Sequence, residues 1–167
     1  MEPILAFYRG LAPDHRGRWL HEIWRSNAHW LEQTHDYIPW LFPLPEPSSV
    51  TPQAPLLTAA CRQAFATDPL LQQQMRHSLT LMLNFWGIID QGGEYALKTH
   101  TELTAAWLQR YNHNQLRLTR TIRSLGACHL LTEALQLQQL VLLAGQNRVN
   151  PPTLEYWRHA LEGLGTC

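Results

Sequence analysis

Leu71, Met75, Leu79, Met82 and Trp86 recur every three or four positions, the spacing that lines one face of an α-helix. Asp68-Pro69 supplies an N-cap and a first-turn proline, and Gly87 a stop. A helix from Pro69 to about Trp86 follows, with its apolar stripe in a core. Leu20, Ile23 and Trp24 predict an earlier helix opened by Pro13-Asp14. Another runs from about Asn27 to Tyr37, after a cap at Ser26, with Leu31 and His35 on one side. Thr58 caps a short helix from Ala59 to Ala66. Lys98 to Leu125 reads as two helices divided near Asn112. On the second, Leu118, Ile122 and Leu125 face one way, and His113, Arg117, Arg120 and Ser124 the other. Gly126 is its expected C′ residue. Leu130 to Ala144 is apolar around most of its circumference and should be buried on several sides. Asn150-Pro151-Pro152-Thr153 opens a terminal helix, Leu154 to Leu161. In the lead-in, Phe7 and Tyr8 should pack, Gly10 should turn the chain, and Arg9 should pair with a carboxylate.

The stretch Leu31 to Pro47 departs from this rhythm. Pro39 lacks an N–H and pushes Ile38 toward an extended backbone, and Pro43, Pro45 and Pro47 repeat the restriction. A stiff Pro-rich extended segment is therefore expected at about 39–55. Trp40, Leu41 and Phe42 are too apolar for water and should drive into the core. They would either plug a junction between helices or line a rigid aromatic groove. No segment alternates apolar and polar positions with β-branched residues. The expected fold is all-α, an irregular bundle of seven or eight helices.

Composition narrows the function classes. Lys plus Arg and Asp plus Glu are equal at 13 each, which argues against bulk attraction to nucleic acid or an anionic membrane. Cys61, Cys128 and Cys167 form no C-x-x-C pair, so a reduced, intracellular protein is expected rather than a disulfide framework. The N-terminus has no secretory pattern. The longest apolar run, Leu140 to Ala144, is far short of the ~20 residues that span a bilayer. A soluble, cytoplasmic protein follows.

Further motifs stand in order: Phe7-Tyr8-Arg9-Gly10, Leu31-Glu32, His35-Asp36-Tyr37-Ile38-Pro39-Trp40-Leu41-Phe42-Pro43, Ala54-Pro55-Leu56-Leu57, Phe85-Trp86-Gly87, and His113-Asn114-Gln115-Leu116-Arg117-Leu118-Thr119-Arg120. Over roughly residues 7 to 145 the chain resembles the conserved region of the opioid growth factor receptor family, with Pro39 where that family has Gln. On this resemblance residues 1–150 form the conserved domain and 151–167 a C-terminal helix capping it. The resemblance implies recognition of an enkephalin peptide and, in a eukaryote, growth regulation at the nucleus.

Several constellations invite chemistry. His113, Arg117 and Arg120 sit at i, i+4 and i+7, within reach of one anionic group. They would bind a carboxylate or phosphate, or pair internally with acids such as Asp36 or Glu32. His35-Asp36 is a poor catalytic pair, because adjacent helical residues point about 100° apart and Asp36 does not easily orient His35, and no nucleophile elbow accompanies it. The nine His include no H-E-x-x-H and no zinc spacing, so neither metal nor cofactor is expected. The expected site is His35, Asp36, Tyr37, Trp40, His113, Arg117 and Arg120, a groove in which rings bury a peptide side chain and Arg holds a carboxylate. The alternatives are a nucleic-acid or phosphate binder on the basic face 110–123, with Trp107 and Tyr111 for stacking, or a small enzyme.

Overall fold

The helix expected from Pro69 is present as α6, defined below, and the chain divides inside it. A computed structural model describes residues 1–99 and 105–164. One unit takes Met1–Leu81 and a second begins at Met82.

The first unit contains α1 (Pro3–Tyr8), α2 (Leu20–Ile23), α3 (Ala28–Gln33), α4 (Ile38–Leu41), α5 (Ala59–Thr67) and the start of α6 (Pro69–Trp86). α1 packs on α5 and buries Ile4, Leu5, Phe7 and Tyr8. Phe7 meets Trp40 edge-on at 5.1 Å between centroids, and Tyr8 meets Phe65 at 5.4 Å. The Tyr8 hydroxyl donates to the Leu41 carbonyl. Trp40, Leu41 and Phe42 are all buried, so the apolar wedge does enter the core.

Local caps behave as their chemistry dictates. Thr58 Oγ1 accepts from Cys61 N at 3.2 Å. Asp68 Oδ1 accepts from Leu70 N at 3.0 Å, and the same carboxylate takes Arg9 Nη2 at 3.0 Å, the internal partner expected for that arginine. Gly10 turns the chain with φ of 69°.

Four local expectations are corrected in this unit. The lead-in is itself a helix, α1. Asp14 opens no helix but closes a loop, and α2 begins only at Leu20. The cap at Ser26 moves to Asn27, whose Oδ1 accepts from Trp30 N at 2.9 Å, and α3 ends at Gln33. Ile38 and Pro39 are helical rather than extended, because a first-turn residue needs no N–H. The non-helical Pro-rich segment begins at Phe42 and runs to the cap at Thr58.

The second unit holds the end of α6, a hairpin, a 3₁₀ turn (Ala106–Leu108), α7 (Asn114–Ala127), α8 (Leu131–Gly145) and α9 (Pro151–Arg158). α7, α8 and α9 pack on one another. The hairpin pairs β1 (Ile88–Asp90) with β2 (Tyr95–Leu97) antiparallel, Ile89 opposite Ala96. Strands of three residues are too short for alternation to register, so the reading of the fold as free of strands missed them. Gly87, φ 73°, ends α6, and Gly92-Gly93, φ 76° and 105°, turn the hairpin. Asn150 caps α9, its Oδ1 accepting from Thr153 N at 3.0 Å.

Two helix faces differ from expectation. Gly126 lies inside α7, which continues to Ala127. It serves close packing, since a Cβ there would sit 2.7 Å from Leu161 Cδ2. α8 buries only Ala134, Leu137, Val141 and Gly145, while Leu131, Leu135 and Leu143 are exposed. A helix covered on one side needs one apolar stripe, and sequence does not reveal which neighbour is absent. Of the helix expected from Lys98 to about Asn112, residues 100–104 lie outside the described residues, and the described remainder holds only the 3₁₀ turn Ala106–Leu108. Among the described residues no helix is long and apolar enough to cross a membrane. The fold is mostly helical, an irregular α-bundle class with, among the described residues, one small hairpin.

Candidate functional site

In the first unit the chemistry gathers at Asp36, which follows α3 and precedes the turn of α4. Its Oδ2 accepts from Arg16 Nε at 3.0 Å, and Arg18 Nη1 lies 2.9 Å from Oδ1. Oδ1 and Arg18 Nη2 are buried without a properly angled hydrogen bond, so charge rather than geometry carries that contact. Arg18 also meets the buried Asp14 carboxylate through Nε at 2.7 Å and lies over the Trp30 ring, 5.5 Å from its centroid. His15 stacks parallel to Trp40. Trp40 Nε1 donates to His15 Nδ1 at 2.9 Å. An indole N–H can only donate, so the imidazole proton sits on Nε2, which faces Asp36 Oδ2 at 3.5 Å. Tyr37 is buried and its hydroxyl donates to the Leu31 carbonyl at 2.9 Å. His35 is exposed.

Burial pushes the Asp36 carboxyl up, but the adjoining Arg18 and Arg16 guanidiniums outweigh it and hold Asp36 below the usual carboxylate value. The folded value is depressed, so its stabilisation is complete above the unfolded value of about 3.9 and is lost as pH falls through the folded one. Urea midpoints from pH 7 to 3 should therefore show the gap between wild type and Asp36→Asn closing below about pH 4. A gap of constant size down to pH 3 would contradict the ion-pair account.

In the second unit Asn114 joins the end of α6 to α7. Its Oδ1 accepts from Trp86 Nε1 at 3.2 Å and from Arg117 Nη1 at 3.4 Å. Arg117 and Ser124 are buried, so the supposed polar side of α7 is largely interior. Arg120 is half-buried and His113 exposed. Arg123 Nη1 donates to the carbonyls of Ala160 at 3.1 Å and Glu162 at 3.3 Å. The basic face 110–123 is thus not a continuous solvent-facing stripe.

An open cavity of about 480 Å³ does reach the surface at the start of α7. It is lined by Tyr111, Asn112, His113, Leu116 and Tyr156, with Gln115, Thr119, Asn150 and Thr153 below. Tyr111, Leu116 and Tyr156 are each more than 60% exposed, at 68%, 69% and 61%. The floor is internally satisfied. Gln115 Nε2 donates to the carbonyls of Trp107 at 3.1 Å and Gln109 at 2.7 Å. Its Oε1 accepts from Asn150 Nδ2 at 3.4 Å and Thr153 Oγ1 at 3.3 Å. Thr119 Oγ1 donates to the Gln115 carbonyl at 3.1 Å. Arg110 leans on Tyr111, 5.7 Å from its ring centroid.

Of the sequence-predicted residues, the first unit brings Asp36, Tyr37 and Trp40 into one scaffold, and the second puts His113 on the cavity. Leu116 and Tyr156 were missed. Tyr156 sits beside the buried Trp157, and nothing local tells which ring faces out. Cys61 and Cys128 are buried, and burial pushes the Cys61 thiol up. Among the described residues no His, Cys, Asp or Glu group could hold a metal ion.

Fold and site define a mostly helical domain with a surface cavity rimmed by aromatic rings. The family model described as the opioid growth factor receptor (OGFr) conserved region matches residues 7–162, which takes in α9. The chain belongs to this family. It is 35% identical over 133 residues to the opioid growth factor receptor of Homo sapiens, covering 74% of this chain and 19% of the relative. The Rattus norvegicus receptor is 36% identical over 106 residues, 62% of this chain and 18% of its own. Opioid growth factor receptor-like protein 1 of Rattus norvegicus is 32% identical over 128 residues, 73% and 27% respectively. The chain thus spans 17–27% of the length of these relatives and others like them. No solved structure matches it.

Proposed function

We propose that this chain is a non-catalytic binding domain that holds an extended peptide segment in the cavity at the start of α7. One observation carries the reading: Tyr111, Leu116 and Tyr156 stand exposed around an open cavity of about 480 Å³, a volume within the usual 300–1,000 Å³ of ligand sites. Large rings left in water around a concavity are typical binding anchors. Beneath them the floor amides are already bonded to one another, so the cavity keeps its shape without a ligand. The family supports it too, since the relatives are named as a receptor and a receptor-like protein. His113 contributes at the rim. Asp36, Tyr37 and Trp40 serve as the scaffold of the first unit.

A displayed library of linear peptides selected on the whole chain tests this. Selected peptides should lose about tenfold or more in affinity for Tyr111→Ala/Tyr156→Ala, with the fold unchanged because both rings are exposed. Equal binding to that variant would place recognition elsewhere.

A further inference from the structure

We infer that His15 is a proton-sensitive latch in the first unit: its neutral ring holds Trp40 to the loop before α2, and taking up a proton releases it. The ring joins two partners. Nδ1 accepts from Trp40 Nε1 at 2.9 Å, and Nε2 directs its N–H toward Asp36 Oδ2, 3.5 Å away. Both members of the first contact are shielded. The His15 side chain is 17% exposed and Trp40 only 5%, so little water is at hand to replace either partner. Trp40 in turn rests edge-on against Phe7 of α1, which places the latch between the loop, α4 and α1.

An indole N–H can only donate, and the lone pair on Nδ1 that it needs exists only while the imidazole is neutral. A proton from solvent binds at that lone pair, and both ring nitrogens become donors. Nδ1 then turns an N–H toward the Trp40 N–H, and the bond between them is lost. A buried donor left without a partner is costly, so the two rings must move apart. The charged ring keeps its second partner, because a carboxylate holds an imidazolium more strongly than a neutral imidazole. The proton thus takes His15 from holding two elements to holding one. The charged groups around the ring are Asp36, Arg16 and Arg18, with Asp14 behind Arg18. α4 contributes the uncharged Trp40. Arg16 and Arg18 already share the Asp36 carboxylate, which limits its pull on the His15 ring. Unperturbed imidazole changes charge between about pH 5 and 8. The latch therefore answers to mild acid, above the range in which Asp36 itself titrates.

The test is an NMR titration of the isotope-labelled whole chain from about pH 8 to 5. It follows the His15 ring nitrogens, assigned through the backbone, and the Trp40 indole N–H, assigned by its loss in Trp40→Phe. As the pH falls, the His15 ring should take up one proton, and the Trp40 signal should shift with the same midpoint. In His15→Gln the side-chain oxygen can accept from Trp40 but does not titrate, so the Trp40 signal should hold its position across the range. A Trp40 signal that stays in place while His15 is protonated, or that shifts with another midpoint, would overturn the latch. An equal shift in His15→Gln would do the same, and so would a His15 ring that remains neutral down to about pH 5. If His15→Gln does not fold, the match or mismatch of the two midpoints in the unaltered chain decides by itself.

Discussion

Trp157→Ala is expected to destabilise the second unit by about 3–5 kcal/mol, the range for truncating a buried Trp. Trp157 is fully buried. Its ring occupies the slot that Gly145 leaves open, since a Cβ at 145 would lie 2.8 Å from its Cζ3. Its edge meets Trp107 at 6.2 Å between centroids, with planes at 71°. Nε1 donates to the Gln115 carbonyl at 3.3 Å, and Gln138 Nε2 donates to the Trp157 carbonyl at 2.8 Å. Truncation removes one of the largest blocks of apolar area a residue can bury. It leaves a void that rigid neighbours such as Trp107 cannot fill. Against a total stability of about 5–15 kcal/mol, the loss should lower the urea midpoint sharply with little change in slope. It should also loosen the cavity, because Gln115 and Thr153 lie on the helices that Trp157 joins. A loss below about 1 kcal/mol would mean that the indole is not packed as described.

What the sequence could disclose about the two units followed the reach of each interaction. Asn150 with its two prolines, and Asp68-Pro69 earlier, act over three residues, so both starts are legible in the chain. The stripe through Leu71 and Met75 is legible because a helix repeats it. Arg117 misleads for the same reason: periodicity places it beside polar residues, and only the arrival of Trp86 over Asn114 makes its surroundings interior. The cavity is harder still. Tyr111 precedes α7 and Tyr156 lies on α9, so only tertiary packing makes them neighbours of one space. Pro39 shows the opposite limit, a strong local rule with an exception at a helix's first turn. The resemblance singled out His35 to Pro43, whose residues are held by α1, by Leu31 of α3 and by the loop before α2.

That loop supplies the second large effect. Asp14 resembles a helix cap in sequence, yet its carboxylate is fully buried and closes a five-residue loop instead. Oδ1 accepts from Arg16 N at 2.8 Å and Arg18 N at 3.0 Å, and Oδ2 meets Arg18 Nε at 2.7 Å. Gly17 makes the return possible, with φ of 79°. Arg18 then spans Asp14 and Asp36, tying the loop to the family motif. Arg18→Met should therefore cost about 3–5 kcal/mol, as removing one partner of a buried pair does. Most of that is the price of leaving the Asp14 charge buried and uncompensated, not the worth of the contact itself. A second substitution separates the two. Asp14→Asn keeps Oδ1 for the two backbone N–H groups and removes the charge. The double variant Asp14→Asn/Arg18→Met should then be more stable than Arg18→Met alone, a coupling readable in a urea double-mutant cycle. Asp36 retains Arg16 and partial solvent exposure in both, so it does not mask the difference. If the double variant is no more stable than Arg18→Met, the buried carboxylate is not the source of the loss, and the packing of Arg18 on Trp30 is.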